Sequence, residues 1–307
     1  MMVTNMDNHP KAEANRISVL LRTVLGEERF PVDIKNVILE VSNNKFPKEP
    51  IVDIRPVPLD KFEGMLVKSP KGTKWMVGYN DQIASEGRIR FTLAHEFGHY
   101  LLHRNLQSEF NCATKDVMST DLGDRLMEKE ADTFASSLLM PLDDFRKQIE
   151  GCLISIDLLK HCGDRYGVSL TAAALKLRDV AVGRVIIVAA KDGFLDWACS
   201  NQAAYKSGAY FATTKETIEV PVNSLLNTTI WSPDGKSGTI KANAWLPKEP
   251  VHMELVEHVF VIIGEGYSYT LGILVLPEAE NKALNVDALD EESRSEADGR
   301  LTLSRRN

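Results

Sequence analysis

One stretch constrains the rest of this sequence: residues 88–103 read Arg-Ile-Arg-Phe-Thr-Leu-Ala-His-Glu-Phe-Gly-His-Tyr-Leu-Leu-His. Most of its residues are apolar, which predicts a buried helix over residues 85–104. On a helix, residues four apart lie about 6 Å apart along the axis and nearly in line. His95 and His99 can therefore direct their imidazoles at one metal ion, with Glu96 beside them. An amphipathic helix with surface histidines is the alternative, but a buried helix needs partners for its polar groups.

This spacing is typical of zinc hydrolases, in which two His side chains bind the metal and the Glu accepts a proton from water. His103 continues the four-residue spacing, yet we do not expect it to be a ligand. His95 and His103 lie about 12 Å apart along a continuous helix, whereas ligand nitrogens converge to about 2 Å from the metal. No Gly between His99 and His103 breaks the helix. His103 is predicted to be a helix-end residue or a neighbour of the ligands.

A third ligand is expected from a second helix, predicted to run from near Asp124 to Pro141, where proline ends it. Catalytic zinc takes three protein ligands and leaves a fourth position open. Glu128 and Asp132 are four residues apart and share a face. Glu128 is therefore favoured as the ligand, and Asp132 as the acceptor of a hydrogen bond from a ligand His. Glu130 points about 200° away from Glu128 and stays open as the alternative ligand.

Taken together, the two motifs closely resemble those of the ImmA/IrrE family. The resemblance rests on residues 90–99, which read RFTLAHEFGH, on Leu102-His103, and on Glu128-x-x-Ala-Asp-x-Phe-Ala-x-x-Leu-Leu-Met-Pro. It spans roughly residues 12–180, and two separate motifs occur in the right order. One departure is Asp132, where many members have Asn, but the acid still accepts a hydrogen bond.

The resemblance implies a regulatory protease that contains one Zn²⁺ ion. Proteins of this family are zinc metallopeptidases of bacteria, phages and mobile elements, and characterised members act on helix-turn-helix repressors to relieve repression. The expected function is a zinc-dependent endopeptidase with His95, His99 and Glu128 as metal ligands and Glu96 as the catalytic base. The alternative is a non-cleaving, zinc-containing regulator, antitoxin-like or an anti-repressor, that acts by binding its partner protein.

The composition of the chain indicates its cellular compartment and excludes some classes of partner. The net charge is −7, whereas a dedicated nucleic-acid binder normally shows a basic patch. The four cysteines are irregularly spaced, which favours reduced thiols. Residues 1–15 lack an apolar signal core, and the longest apolar runs are too short to span a bilayer. We therefore expect a cytoplasmic protein that contacts neither membrane nor DNA directly.

The predicted fold class is α+β, in two domains, because 307 residues exceed the usual size of one. A mainly helical, zincin-like metallopeptidase domain with a small antiparallel sheet is expected over residues 12–180. A mainly β domain of unknown role is expected over residues 184–277. Residues 1–11 and 278–307 are predicted to be disordered.

Residues 155–179 contain two predicted helices around a Gly-Val-Ser turn, an arrangement that also occurs in DNA-binding domains. The second helix is mostly Ala and Leu, whereas a helix that reads DNA needs polar or basic residues near its start. A packing pair is therefore favoured over a DNA-binding pair. Beyond it, strands are predicted at residues 185–190, 194–199, 217–222, 260–263 and 269–276.

Overall fold

The computed structural model describes residues 9–59, 62–113, 122–227, 234–264 and 267–280. Within these ranges nine α-helices and two β-sheets form an α+β fold, which confirms the predicted class. Most of the predicted disordered segments, 1–11 and 278–307, lies outside the described residues. The helices are α1 Pro10–Leu25, α2 Ile34–Lys45, α3 Glu86–His103, α4 Leu122–Leu139, α5 Leu142–Ile149, α6 Ile156–Tyr166, α7 Leu170–Val180, α8 Gln202–Lys206 and α9 Ala242–Trp245. The strands are β1 Ile51–Val57, β2 Phe62–Lys68, β3 Trp75–Asn80, β4 Glu109–Ala113, β5 Arg184–Lys191, β6 Phe194–Ser200, β7 Lys236–Lys241, β8 Glu254–Gly264 and β9 Tyr267–Leu276.

The described residues divide into two compact units. The first takes in the chain through residue 148 together with residues 162–169, and the second takes in residues 149–161 and the chain from residue 170 onward. The first unit holds α3 and α4, and the second holds the strands after residue 184. The domain boundary at residues 180–184 stays a prediction.

The sheet of the first unit has the strand order β1-β3-β2-β4. β2 pairs antiparallel with β3, to which the turn at Gly72 connects it, and also antiparallel with β4. β1 pairs parallel with β3, so the prediction of a purely antiparallel sheet was wrong. The reason is topological: β3 inserts between β1 and β2, and a strand on the far side of β3 can run either way.

Strand β4 corrects a second expectation, because residues 111–123 are polar and rich in Ser, Thr and Asp, which predicts a surface loop. Residues 111–113 instead belong to an edge strand paired with β2, while residues 114–121 lie outside the described residues. Phe110 is buried between the exposed Glu109 and Asn111, which is the alternation of a half-buried strand. A stretch of five residues, in which Phe110 and Cys112 alternate with polar residues, is too short a pattern to predict a strand from sequence.

Helix α3 lies in the core of the first unit. Ser85 begins it by accepting a hydrogen bond from the Arg88 backbone N–H, and the helix ends one residue from the predicted limit. The side chains of Leu93, Phe97 and Tyr100 are fully buried. The interior position of α3 therefore follows from its apolar residues, and it carries the histidines inside with them.

The second unit is built on a five-stranded antiparallel sheet in the order β6-β5-β9-β8-β7. Four of the five predicted strands are present, with β8 longer than expected, and β7 was missed. The prediction of a strand at 217–222 was wrong, since that segment makes only an isolated bridge between Phe194 and Glu219. Helix α7 is buried along most of its length, from Thr171 to Arg178, which disfavours its entry into a DNA groove. In the described ranges, no helix has the length and apolar character needed to cross a bilayer.

Candidate metal centre

Helices α3 and α4 bring three donor side chains together. The Nε2 atoms of His95 and His99 lie 3.0 Å apart. The two carboxylate oxygens of Glu128 each lie 3.2 Å from one of these nitrogens. Among the described residues, these three form the one cluster of His, Cys, Asp or Glu side chains close enough to share an ion.

The donor set fits a small divalent ion. Ligand atoms at about 2.0–2.1 Å from a tetrahedral zinc lie about 3.3 Å from one another, close to the spacing found here. The two imidazoles are buried, whereas the Glu128 side chain is 45% exposed. The three side chains can therefore hold an ion from the protein side and leave its outer side open to solvent or substrate.

The protonation of the three groups reflects their proximity. Burial disfavours the charged form of His95, but hydrogen bonds to Asp132 and Glu128 outweigh it and raise the His95 pKa to about 10. Burial lowers the pKa of His99 to about 4. Burial would raise the pKa of Glu128, yet hydrogen bonds from the two histidines hold it well below its ordinary value. A metal ion can take the place of the proton on Nε2 of His95, since ligands must be deprotonated to bind.

Asp132 lies against the back of the first histidine. Its Oδ1 atom is 2.8 Å from Nδ1 of His95, the nitrogen that points away from Glu128. An N–H at Nδ1 that donates to Asp132 leaves the lone pair on Nε2 facing the other donors. The structure thus brings Asp132 to the position expected from its four-residue spacing with Glu128.

Glu130 is not one of the three clustered donors. Its Oε2 atom is 2.9 Å from Nε2 of His103. Nδ1 of His103 is in turn 3.1 Å from Nδ1 of His99. Burial lowers the pKa of His103 below its ordinary value. His103 is therefore a neighbour of a donor, and the arrangement favours Glu128 over Glu130 as the third ligand.

Two small residues allow α3 and α4 to approach this closely. A Cβ added at Gly98 would lie 3.0 Å from Cα of Ala131 and 3.2 Å from its carbonyl oxygen. Both atoms belong to backbone, which cannot move aside as a flexible side chain can. Gly98 and Ala131 occur inside the two motifs because the donors on either side of them must meet.

We expect Gly98→Ala to destabilise the protein by about 1–2 kcal/mol, as overpacking does, and to weaken metal binding. Alanine is the better helix former by about 1 kcal/mol, so a net loss must come from the clash between the helices. Denaturant unfolding measures it. Gly183→Ala is the matched control, because a Cβ there meets nothing within 4 Å. Equal stability of the two variants would contradict the close-approach argument.

Glu96 and the strand β2 are also in tight contact. Glu96 is fully buried. A Cβ added at Gly64, in β2, would lie 2.5 Å from Oε1 of Glu96 and 2.6 Å from Cγ2 of Thr92. The backbone of β2 therefore lies directly on this carboxylate and limits the positions that it can adopt.

The edge strand β4 contributes Phe110, which the sequence argument did not single out. Its ring stacks on the imidazole of His99, with centroids 4.8 Å apart and planes 19° from parallel. Phe110 is 5% exposed, so it shields one face of the imidazole from water. A lone aromatic residue seven positions after the end of an α-helix gives no signal that it will return to pack on that helix.

Comparison with known proteins agrees with this arrangement. The family model of the peptidase M78 group, described as an IrrE N-terminal-like domain, matches residues 48–178. These residues include α3 and α4, which supply the three donors and Glu96.

Among solved structures, a transcriptional regulator of Mycobacterium tuberculosis is similar, with a TM-score of 0.56 and 15% sequence identity over 87% of this chain and 75% of that chain. At this identity the likeness concerns the fold alone. None of the curated proteins matches this sequence. The chain thus carries an IrrE N-terminal-like domain of the peptidase M78 family at residues 48–178, which confirms the resemblance to the ImmA/IrrE family.

Proposed function

We propose that this protein is a zinc-dependent endopeptidase that cleaves a helix-turn-helix transcriptional repressor and so relieves repression. The observation that carries the proposal is the convergence of His95, His99 and Glu128 beside a fully buried Glu96. The family supports peptidase chemistry, and a fold shared with a protein named as a transcriptional regulator is compatible with a regulatory role. A cytoplasmic location follows from the proposed substrate, since repressors work on DNA.

The proposed ligands are His95 and His99 through their Nε2 atoms and Glu128 through its carboxylate. A zinc ion bound there would supply Lewis-acid chemistry, because it lowers the pKa of water and polarises a carbonyl oxygen. Manganese, iron and cobalt also accept such ligands, so the identity of the metal is part of the proposal. Asp132 keeps His95 in the orientation and tautomer that binding requires.

Glu96 is the proposed general base and acid. Its carboxylate accepts a proton from the water molecule that attacks the scissile carbonyl, and then returns that proton to the amine that leaves. A centre with a purely structural role does not require a buried carboxylate next to its ligands. The position of Glu96 therefore favours an enzyme over a regulator that only binds.

We expect Gly64→Ala to lower the rate of cleavage about 100-fold, the effect of a displacement of about 1 Å in a catalytic group. The added methyl group would occupy the space of the Glu96 carboxylate, 2.5 Å away. Zinc content should not change, because the atoms nearest to the added Cβ belong to Glu96 and Thr92 and not to a proposed ligand. Initial rates and elemental analysis measure the two effects.

Gly238→Ala in β7 is a matched control, since a Cβ there meets only the side chain of Leu225, at 3.1 Å. A Gly64→Ala variant that cleaves as fast as this control would contradict the proposed contact between β2 and the catalytic carboxylate.

The test of the function is direct. The purified protein, loaded with one equivalent of zinc, is mixed with the helix-turn-helix repressor encoded nearest to it, and the products are identified by mass spectrometry. We expect two repressor fragments that appear with zinc and disappear with a chelator. A stable complex with an uncut repressor would support the non-cleaving regulator instead.

A further inference from the structure

A chain of hydrogen bonds leads from the metal centre to the surface of α4. It starts at His99, whose Nε2 atom faces Glu128 and whose Nδ1 atom lies 3.1 Å from Nδ1 of His103. It continues from Nε2 of His103 to Oε2 of Glu130, over 2.9 Å. The His103–Glu130 pair thus stands behind His99 as Asp132 stands behind His95.

If His99 binds a metal, the hydrogen bonds of this chain can be donated in only one direction, from His99 to His103 to Glu130. If His99 binds a metal through Nε2, its remaining proton must be on Nδ1, because a neutral imidazole carries only one. That N–H must donate to Nδ1 of His103, which therefore carries no proton. His103 then has its proton on Nε2 and donates it to the Glu130 carboxylate, which is only an acceptor when ionised.

Burial explains why the two facing Nδ1 atoms need this arrangement of protons. His99 is 0% exposed and His103 is 3% exposed, so water cannot replace either bond. The Glu130 side chain is 37% exposed, so its carboxylate reaches solvent. Only this end of the chain touches solvent, and a charged acceptor there favours the tautomer that places the His103 proton on Nε2.

We propose that His103 and Glu130 are positioning residues that fix the tautomer and ring orientation of His99 for metal binding. This inference rests on the proposed metal centre, but it assigns roles to two residues outside its donor set. Helix α4 then contributes to all three proposed ligands. It supplies Glu128 itself, it places Asp132 behind His95, and it places Glu130, through His103, behind His99. The His103–Glu130 pair raises affinity for the metal without touching it.

The test measures the zinc dissociation constant of four proteins by competition with a chromophoric chelator. They are the wild type, His103→Phe, Glu130→Gln and the double variant. His103→Phe keeps a ring of similar size and should raise the Kd about 10- to 100-fold, as loss of an outer hydrogen bond does. Glu130→Gln should raise it less, because Gln still accepts a hydrogen bond but carries no charge.

The double variant distinguishes a series arrangement from two independent effects. Because Glu130 acts only through His103, the Kd of the double variant should equal that of His103→Phe alone. It should not rise by the product of the two single changes. A merely structural role for either residue would give additive effects. Asp124→Asn, which removes another partly exposed acid of α4, is the control and should leave the Kd unchanged.

A second measurement needs no variant. Nitrogen-15 NMR of the imidazoles in the zinc-loaded wild type should show the proton of His103 on Nε2 and none on Nδ1. A proton on Nδ1 of His103, or a His103→Phe variant with the wild-type Kd, would overturn the proposal. A wild type that binds no zinc would overturn the metal centre together with it, so the two failures are distinguishable.

Discussion

Replacing Glu96 with Gln is expected to lower peptide cleavage about 10²- to 10⁴-fold, the range that a positioned general base contributes. Glutamine has nearly the same size, so it should fit the fully buried site between α3 and β2. It cannot accept the proton of the attacking water, which removes the role proposed for this residue. Initial rates of repressor cleavage by zinc-loaded protein measure the change.

Zinc content is the control for that variant. Glu96 is not one of the three clustered donors, so Glu96→Gln should bind zinc with the wild-type affinity. Loss of zinc together with activity would place Glu96 among the ligands. Undiminished cleavage by a zinc-loaded Glu96→Gln protein would show that another group moves the proton.

Replacing Glu128 with Ala should produce a large loss of metal binding. It removes one donor of three, so the Kd for zinc should rise by more than the roughly 10- to 100-fold that outer partners contribute. The side chain is 45% exposed, so its truncation should leave the fold intact. Elemental analysis after dialysis and competition titration measure the loss, and thermal unfolding of the dialysed proteins checks the fold.

Glu130→Ala is the matched comparison, because it shortens a neighbouring acid of the same helix. It should weaken zinc binding only through His103, and by much less than Glu128→Ala does. If Glu130→Ala abolished zinc binding while Glu128→Ala retained it, the choice between the two glutamates would be reversed. This comparison decides a question that the spacing of α4 alone leaves open.

The spacing of apolar residues was sufficient to predict α3 and α4, the two helices that form the candidate metal centre. Helix α3 begins and ends within one residue of the expected limits, and α4 begins two residues before Asp124. Both have long apolar faces and clear end signals, which tertiary contacts do not override. The strands were predicted less well, because β4 has only five residues, because β7 has a single apolar residue, and because local sequence does not specify which strands pair.

The convergence of His95, His99 and Glu128 could be predicted because the spacing of each helix fixes which side chains share a face. The contacts across the helices could not. Glu130 meets His103 because α3 and α4 pack closely, as they do at Gly98 and Ala131, and this brings a further acid of α4 within reach of α3. A crossing angle depends on packing between helices, and no period within either helix specifies it.

The central claim is that this centre hydrolyses a peptide bond in a repressor, and a single-turnover experiment tests it most directly. Zinc-loaded wild type and zinc-loaded Glu96→Gln are each mixed with an equal amount of the repressor, and mass spectrometry follows the products. We predict one pair of fragments whose masses add up to the repressor plus one water in the wild-type reaction, and intact repressor with the variant. Intact repressor in both reactions, at full zinc occupancy, would contradict the claim.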